Sequence, residues 1–358
     1  MDRIVETKLW NVDKNVEHLE TCSQVVDAAH FIREGELVAF PTETVYGLGA
    51  NAFSDEAVEK IYKAKGRPSD NPLIVHIGDI AQLHEVAREV PEMAFPLIER
   101  FWPGPLTLLL PKAEKIASQV TKLDTVGVRM PDHPLALALI RAASVPIAAP
   151  SANRSGRPSP TTAEHVRQDL EGRIAAILDG GETGVGVEST VLDMTVSPPM
   201  ILRPGGITRE QLLEVLSEVA IDPAFEAKAS QVPRSPGMKY THYAPKGELW
   251  LVDGSLEQVQ KKMEELIQEA KAKGFSTGVL ATDEMIEAWR KSDQLDALLS
   301  CGSRHDPSSI AQHLYARLRE FDDLGIQYIL AETFPKEGLG MAVMNRLEKA
   351  AGGRIISV

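Results

Sequence analysis

Cysteine is nearly missing from this chain: Cys22 and Cys301 are the two present in 358 residues, and no CxxC pair occurs. A disulfide framework and a cysteine-built zinc site are therefore not indicated, and a reducing compartment fits. No stretch approaches the ~20 apolar residues of a membrane span. The N-terminal MDRIVETKLW also lacks the basic start and apolar core of an export signal, so the sequence reads as cytoplasmic. Positive charge is scarce too, with 38 Lys and Arg against 51 Asp and Glu and a net charge of -13. Residues 1–245 hold 24 cationic against 33 acidic side chains, and 246–358 hold 14 against 18. Neither part is basic enough to grip nucleic acid by general phosphate neutralisation. Any anion site must come from a few placed cations.

Several catalytic signatures are missing as well. No GxxxxGK[ST], HExxH, GxSxG or GxGxxG occurs, which disfavours P-loop, zincin, α/β-hydrolase and dinucleotide-binding chemistry. His76, His133, His165, His242, His305 and His313 are scattered and form no evident metal triplet.

What is present is 43% hydrophobic residues over a length that suits two domains. Helical and strand-like patterns alternate through the first part. The amphipathic stretch 22–33 precedes the strand-like ELVAF (36–40), and PTETVYGLGA (41–50) reads as loop. Ser54 fits an N-cap for a helix to about Ala64. Strands are predicted at 72–77, 106–110, 125–130, 145–149 and 175–179, with helices at 79–89, 91–101, 133–143 and 162–170. Some neighbouring strands are too close in sequence for a helical crossover, so the sheet should be mixed. From Glu248 a β-α-β alternation restarts, with helices at 255–273, 283–291, 307–322 and 339–351, and predicts a small three-layer domain on a parallel sheet. The division is thus an α/β domain at 1–217, a linker at 218–247 and a three-layer α/β/α domain at 248–358.

Candidate chemistry gathers in two clusters. In KAKGRPSDNPLIVHI (63–77), Lys65 and Arg67 flank a glycine turn, where a point charge and a planar fork suit different anions. Cations at a helix C-terminus are also the ordinary structural reading. In APSANRSGRPSPT (149–161), Ser151, Asn153 and Ser159 offer hydrogen bonds to phosphate or ribose after an apolar strand, and Arg154 and Arg157 add charge. Thr125 and Arg129 share one face of a strand, Glu188-Ser189-Thr190 follows a glycine-rich turn, and Arg203 ends another strand. The linker composition fits a solvated tether. Its Lys239, Tyr240, His242 and Tyr243 equally fit a segment that folds over a ligand.

Taken together, PTETVYGLG, KxKGRPxxNPLxVH, WPGPLT, GVRxPDHP, PSANxSGxPSPT, GxESTVxD and RPGGI resemble the YrdC-like threonylcarbamoyl-AMP synthase family over about 25–215. SPGMKYTHYAP and the region after it resemble its longer, two-domain form. The resemblance implies a YrdC-like mixed-sheet α/β catalytic domain with a Rossmann-like partner. It also implies an enzyme that joins L-threonine, bicarbonate and ATP, with Mg²⁺ held mainly by the ATP phosphates, into threonylcarbamoyl-AMP and pyrophosphate. The product would pass to the tRNA threonylcarbamoyl-transferase machinery, for modification of adenosine 37 of tRNA. Thr44, His76, Arg129, Ala149 and Ser189 would contact threonine. Arg67, Asn71, Thr125, Ser151, Ser159, Arg203 and Tyr243 would surround ATP, and Lys65, Arg67, Ser151 and Asn153 would form the central anion site. Tyr240 and His242 would close as a lid. Two other readings stand beside this one. An RNA-binding or ribosome-maturation module would use a concave cationic surface and bind RNA in a salt-dependent way without ATP. A carbamoyl-adenylate-forming domain of the hydrogenase-maturation type would bring zinc-binding CxxC pairs, which this sequence lacks.

Overall fold

The computed structural model describes residues 5–223, 242–289 and 295–358. The chain divides into two compact units: Met1–Ser155 with Ser159–Tyr240, and Gly156–Pro158 with Thr241–Val358.

In the first unit the strands are β1 (Lys8–Asn11), β2 (Val38–Phe40), β3 (Gly47–Asn51), β4 (Ile74–His76), β5 (Leu106–Pro111), β6 (Thr125–Arg129), β7 (Ile147–Ala149), β8 (Ala176–Asp179), β9 (Thr190–Asp193), β10 (Met200–Arg203) and β11 (Ala220–Ile221). Among the described residues they form one sheet in the order β1-β8-β2-β3-β7-β4-β6-β5-β9-β10-β11. The sheet is mixed: β4 runs parallel to β6, whereas β7 runs antiparallel to both β3 and β4. The principal helices are α1 (Ser23–Arg33), α2 (Asp55–Lys65), α3 (Leu83–Val86), α4 (Ala94–Phe101), α5 (Pro134–Ala143), α6 (Ala163–Leu170) and α7 (Arg209–Leu213).

Alternation along the strands builds two apolar layers. Val75, Val128 and Ala148 face a core shared with Val58, Ile61 and Leu97 of α2 and α4. Their neighbours Ile147 and Ala149 face the opposite core, packed with Ile32 of α1 and Leu139 of α5. Helix starts are satisfied by side chains, as the caps require: Ser54 accepts from the Ala57 N–H, Thr162 from His165, and His133 Nδ1 from Leu135.

Two local readings of the sequence needed correction. PTETVYGLGA is loop only to Tyr46, because Gly47–Asn51 is a buried strand paired antiparallel with β2. Its glycines allow the close approach: a Cβ on Gly49 would stand 2.8 Å from Ile147 Cγ2 and 2.9 Å from Phe40 Cε1. The span 79–89, read as one helix, is a three-residue 3-10 turn followed by the four-residue α3. Asp79 caps that turn through the Ala81 N–H.

The second unit contains β12 (Glu248–Asp253), α8 (Leu256–Ala272), β13 (Thr277–Ala281), α9 (Asp283–Trp289), β14 (Ala297–Ser300), α10 (Pro307–Asp323), β15 (Tyr328–Glu332), α11 (Leu339–Ala350) and β16 (Ile355–Ser357). Its sheet, in the order β14-β13-β15-β12-β16, is parallel at every pairing. A capping box of Ser255 and Gln258 starts α8, and Asp306 caps α10, which opens on Pro307. No helix among the described residues is long and apolar enough to cross a membrane.

Candidate active site

The first group of site residues forms where α2 ends. Gly66 leaves the helix in the left-handed region at φ 63, and its N–H closes the last turn on Tyr62 and Lys63. This geometry turns Lys65 inward, to 1% exposure. The Lys65 ammonium donates to the backbone carbonyls of Ser151 and Asn153 and lies 3.4 Å from Asn153 Oδ1. Ser151 Oγ donates to Asn153 Oδ1 at 2.5 Å, and the Ser155 N–H returns to the Lys65 carbonyl at 2.9 Å. The loop after β7 is thereby tied to the end of α2. Arg67 Nη2 donates to the Pro72 carbonyl at 3.2 Å, which folds the Asp70-Asn71 turn back on the helix. Asn71 is fully buried, yet neither atom of its side-chain amide has a partner among the described residues. Such a group is costly unless it is used.

A second group lies on one face of the sheet. Register pairs His76 with Arg129 across β4 and β6, and Ile74 with both Gly127 and Ala149. Gly127 and Ala149 keep this part of the face low, while His76 and Arg129 rise from it. Arg129, 4% exposed, donates through Nη2 to Thr44 Oγ1 at 3.0 Å and through Nε to the Gly104 carbonyl at 3.2 Å. Burial, with the Arg129 charge adding to it, pushes the His76 imidazole down to about 3. His76 is therefore neutral at physiological pH, and its buried Nδ1 has no hydrogen-bond partner among the described residues.

The third group continues the same face. Thr107 on β5 pairs with Val191 on β9, which pairs with Arg203 on β10. Arg203 Nη2 donates to the Ser189 carbonyl at 2.9 Å and to Ser189 Oγ at 3.1 Å. Ser189 Oγ also lies 2.8 Å from Thr107 Oγ1. Nearby, Ser159 Oγ donates to Glu188 at 2.6 Å.

Of the residues singled out from sequence, the fold joins Lys65 with Ser151 and Asn153, Arg129 with Thr44 and His76, and Arg203 with Ser189. Thr125 sits at the start of β6, opposite Pro111 and at the other end of the strand from Arg129. Tyr240 lies outside the described residues. His242 and Tyr243 are buried in the second unit, where the Tyr243 ring stacks on Tyr315 at 5.2 Å and receives the Arg346 guanidinium at 5.6 Å.

Sequence reasoning missed Thr42, Glu43 and Thr107. Thr42 Oγ1 lies 2.9 Å from Thr44 Oγ1 and donates to the Val45 carbonyl at 2.6 Å, which holds the loop after β2 in a tight turn. Glu43 Oε2 meets Arg129 Nη2 at 2.6 Å. The PTET string carried both residues, but loop composition gave no direction to their side chains. Thr107 looked like one more residue of an apolar strand.

Two family models divide the chain: one described as "Telomere recombination" matches residues 30–205, and one described as "Threonylcarbamoyl-AMP synthase, C-terminal domain" matches 207–352. A Bacillus subtilis (strain 168) threonylcarbamoyl-AMP synthase is 54% identical over 354 residues, covering 98% of this chain and 100% of the relative. A Pyrococcus abyssi threonylcarbamoyl-AMP synthase is 52% identical over 332 residues, covering 92% and 95%. The crystal structure of P. abyssi Sua5 complexed with L-threonine superposes with a TM-score of 0.91 at 50% identity, covering 98% of this chain and 100% of that one. Two domain matches in sequence order, high identity over nearly the full length and a shared fold place this chain in the threonylcarbamoyl-AMP synthase family.

Proposed function

We propose that this chain makes threonylcarbamoyl-AMP from L-threonine, bicarbonate and ATP, releasing pyrophosphate, and that the product serves threonylcarbamoylation of adenosine 37 in tRNA. The observation that carries this reading is the set of buried polar groups around three cations in the first unit. Lys65, Arg129 and Arg203 are each no more than 4% exposed, and the Asn71 amide and His76 Nδ1 find no hydrogen-bond partner among the described residues. A core built only for stability would pair those groups or replace them with apolar ones.

In this proposal Thr44, His76, Arg129, Ala149 and Ser189 hold threonine. Arg129 takes its carboxylate, neutral His76 and Thr44 supply hydrogen bonds without adding charge, and Ala149 leaves room for the side chain. The amine and bicarbonate combine to N-carboxy-threonine, whose carboxylate attacks the α-phosphate of Mg²⁺-bound ATP. The bond between the α-phosphorus and the pyrophosphate oxygen breaks as the new one forms. No protein nucleophile is required. Two anions and a zwitterion must be brought together, and the charge developing on the α-phosphate and leaving group must be met by fixed donors. Lys65, with Ser151 and Asn153 held to it, and Arg67, Asn71, Thr125, Ser159 and Arg203 fill that role. Mg²⁺ carried in with ATP would supply further neutralisation of phosphate charge.

The test is incorporation of radiolabelled bicarbonate by the purified chain with ATP, Mg²⁺ and each amino acid in turn. A labelled, threonine-dependent adenylate is expected. Label that enters equally with every amino acid, or with none, would falsify the proposal.

A further inference from the structure

Glu43 is a largely enclosed ionic group of the first unit with few partners among the described residues. Its side chain is 12% exposed and its Oε2 lies 2.6 Å from Arg129 Nη2, yet among the described residues neither carboxylate oxygen accepts a well-directed hydrogen bond. A desolvated carboxylate ordinarily gathers several donors, because an unmet charge is costly to bury. The carboxylate is not there by accident of a loose loop. The Val185 N–H donates to the Glu43 carbonyl at 2.7 Å, the Gly186 N–H to the Thr44 carbonyl at 3.1 Å, and Thr42 Oγ1 accepts from the Thr44 N–H at 3.2 Å. Three charged or titratable side chains surround it electrostatically. Arg129 is paired with it, Asp132 has its carboxyl raised by burial and by the Glu43 charge, and His133 is lowered to about 4 by burial and Lys14, against the pull of Glu43.

A guanidinium and a carboxylate side by side, each with capacity left, match the two ends of a free amino acid. We propose that Glu43 receives the α-ammonium of the amino-acid substrate and accepts the proton that this group must lose. The assignment rests on the function proposed above and adds the residue that makes the amine a nucleophile. Only the uncharged amine has a lone pair to give. The ammonium N–H bond breaks and its proton passes to a Glu43 oxygen, leaving amine and carboxylic acid. The nitrogen lone pair then forms the N–C bond to bicarbonate. The second N–H proton leaves with the bicarbonate hydroxyl as water, giving the carbamate. One proton remains on Glu43 and returns to solvent.

In water a carboxylate is a weak acceptor for an ammonium proton. In a dry pocket the transfer removes two opposite charges at once, which a low dielectric favours. The incoming substrate carboxylate also shares the Arg129 guanidinium with Glu43. Burial and the same cation hold His76 too far down to serve as the acceptor instead.

The experiment compares L-threonine with 2,3-dihydroxybutyrate, in which a hydroxyl replaces the ammonium, by calorimetric titration of the full chain. Wild type should prefer threonine. Glu43→Gln should weaken threonine by about 10–100-fold, the usual loss for a charged hydrogen bond. The same variant should leave the hydroxy acid unchanged, which also reports an intact pocket. Glu43→Asp should restore part of the preference and part of the bicarbonate fixation. An equal loss for both ligands, as expected if Glu43 merely positions Arg129, overturns the proposal, and so does an undiminished affinity for threonine. Both affinities are read without catalysis. A wild type that binds threonine and forms no adenylate therefore counts against the proposed function alone.

Discussion

Lys65 and Asn153 are 88 residues apart in sequence, yet the Lys65 ammonium donates to the Asn153 carbonyl and lies 3.4 Å from its Oδ1. A cation that ends α2 therefore also shapes the loop after β7, and the same side chain is the one proposed for the anion site.

For that reason Lys65→Ala should lower activity by about 10²–10³. It should also cost about 1–3 kcal/mol of stability, because the Ser151 and Asn153 carbonyls lose their donor. Pyrophosphate release in the presence of threonine and bicarbonate, together with a thermal melt, checks both. Near-normal turnover would remove Lys65 from the site.

His76 makes a pH-dependent contribution whose sign follows from its burial. Its folded value of about 3 lies below the unfolded value of 6.5, so between these limits the unfolded chain binds a proton that the folded one refuses. Stability is complete above pH 6.5 and declines as the pH falls through that window, with a slope of up to about 1.4 kcal/mol per pH unit. His133, lowered to about 4 by burial and Lys14, adds a term of the same sign. Denaturant titrations from pH 7 to 4 should give a shallower decline for His76→Asn than for wild type. Identical slopes would show that His76 protonates without penalty.

Tyr46 is held by its hydroxyl, which donates to the Gly181 carbonyl at 2.7 Å and accepts from the Gly180 N–H at 3.3 Å. Burial first, and then the Asp179 charge, raises this phenol far above its ordinary value, so it stays protonated. Tyr46→Phe should cost about 1–3 kcal/mol and loosen the turn after β8, readable as a lower melting temperature and faster amide exchange at Gly180.

Gly49 offers a purely steric test. An alanine there places its Cβ 2.8 Å from Ile147 and 2.9 Å from Phe40, and overpacking of this kind costs about 1–3 kcal/mol. Gly66→Ala fails by a different route, because φ 63 with nothing within 4 Å penalises the backbone conformation alone. Crystal structures should therefore show displaced neighbours in the first variant and an altered helix end in the second.

The elements that announced themselves in sequence are those whose local pattern and tertiary role agree. Ser54, Thr162 and Ser255 each precede a helical period and each begin a helix. The apolar run LTLLL becomes β5, and the β-α-β alternation after Glu248 becomes a parallel sheet. Gly47–Asn51 hid because its reason for being a strand is not local. Two glycines lower its propensity, and only the partners Phe40 and Ile147 explain them.

The site divides in the same way. Lys65, Arg67, Ser151 and Asn153 stand out as cations and small polar groups at element ends, a placement visible in one dimension. Glu43 and Thr107 acquire meaning only through register and ion pairing across the sheet.

Composition and motif order by themselves determined that this is a two-domain α/β protein with little cysteine, a net negative charge and a few cations at element ends, since residue type and spacing are local properties. Which strands lie side by side, and hence that His76 and Arg129 share a row while Thr107, Val191 and Arg203 continue along the same face, was decided by tertiary structure alone. Strand pairing joins residues far apart in the chain, and no short-range periodicity encodes which partner a strand will choose.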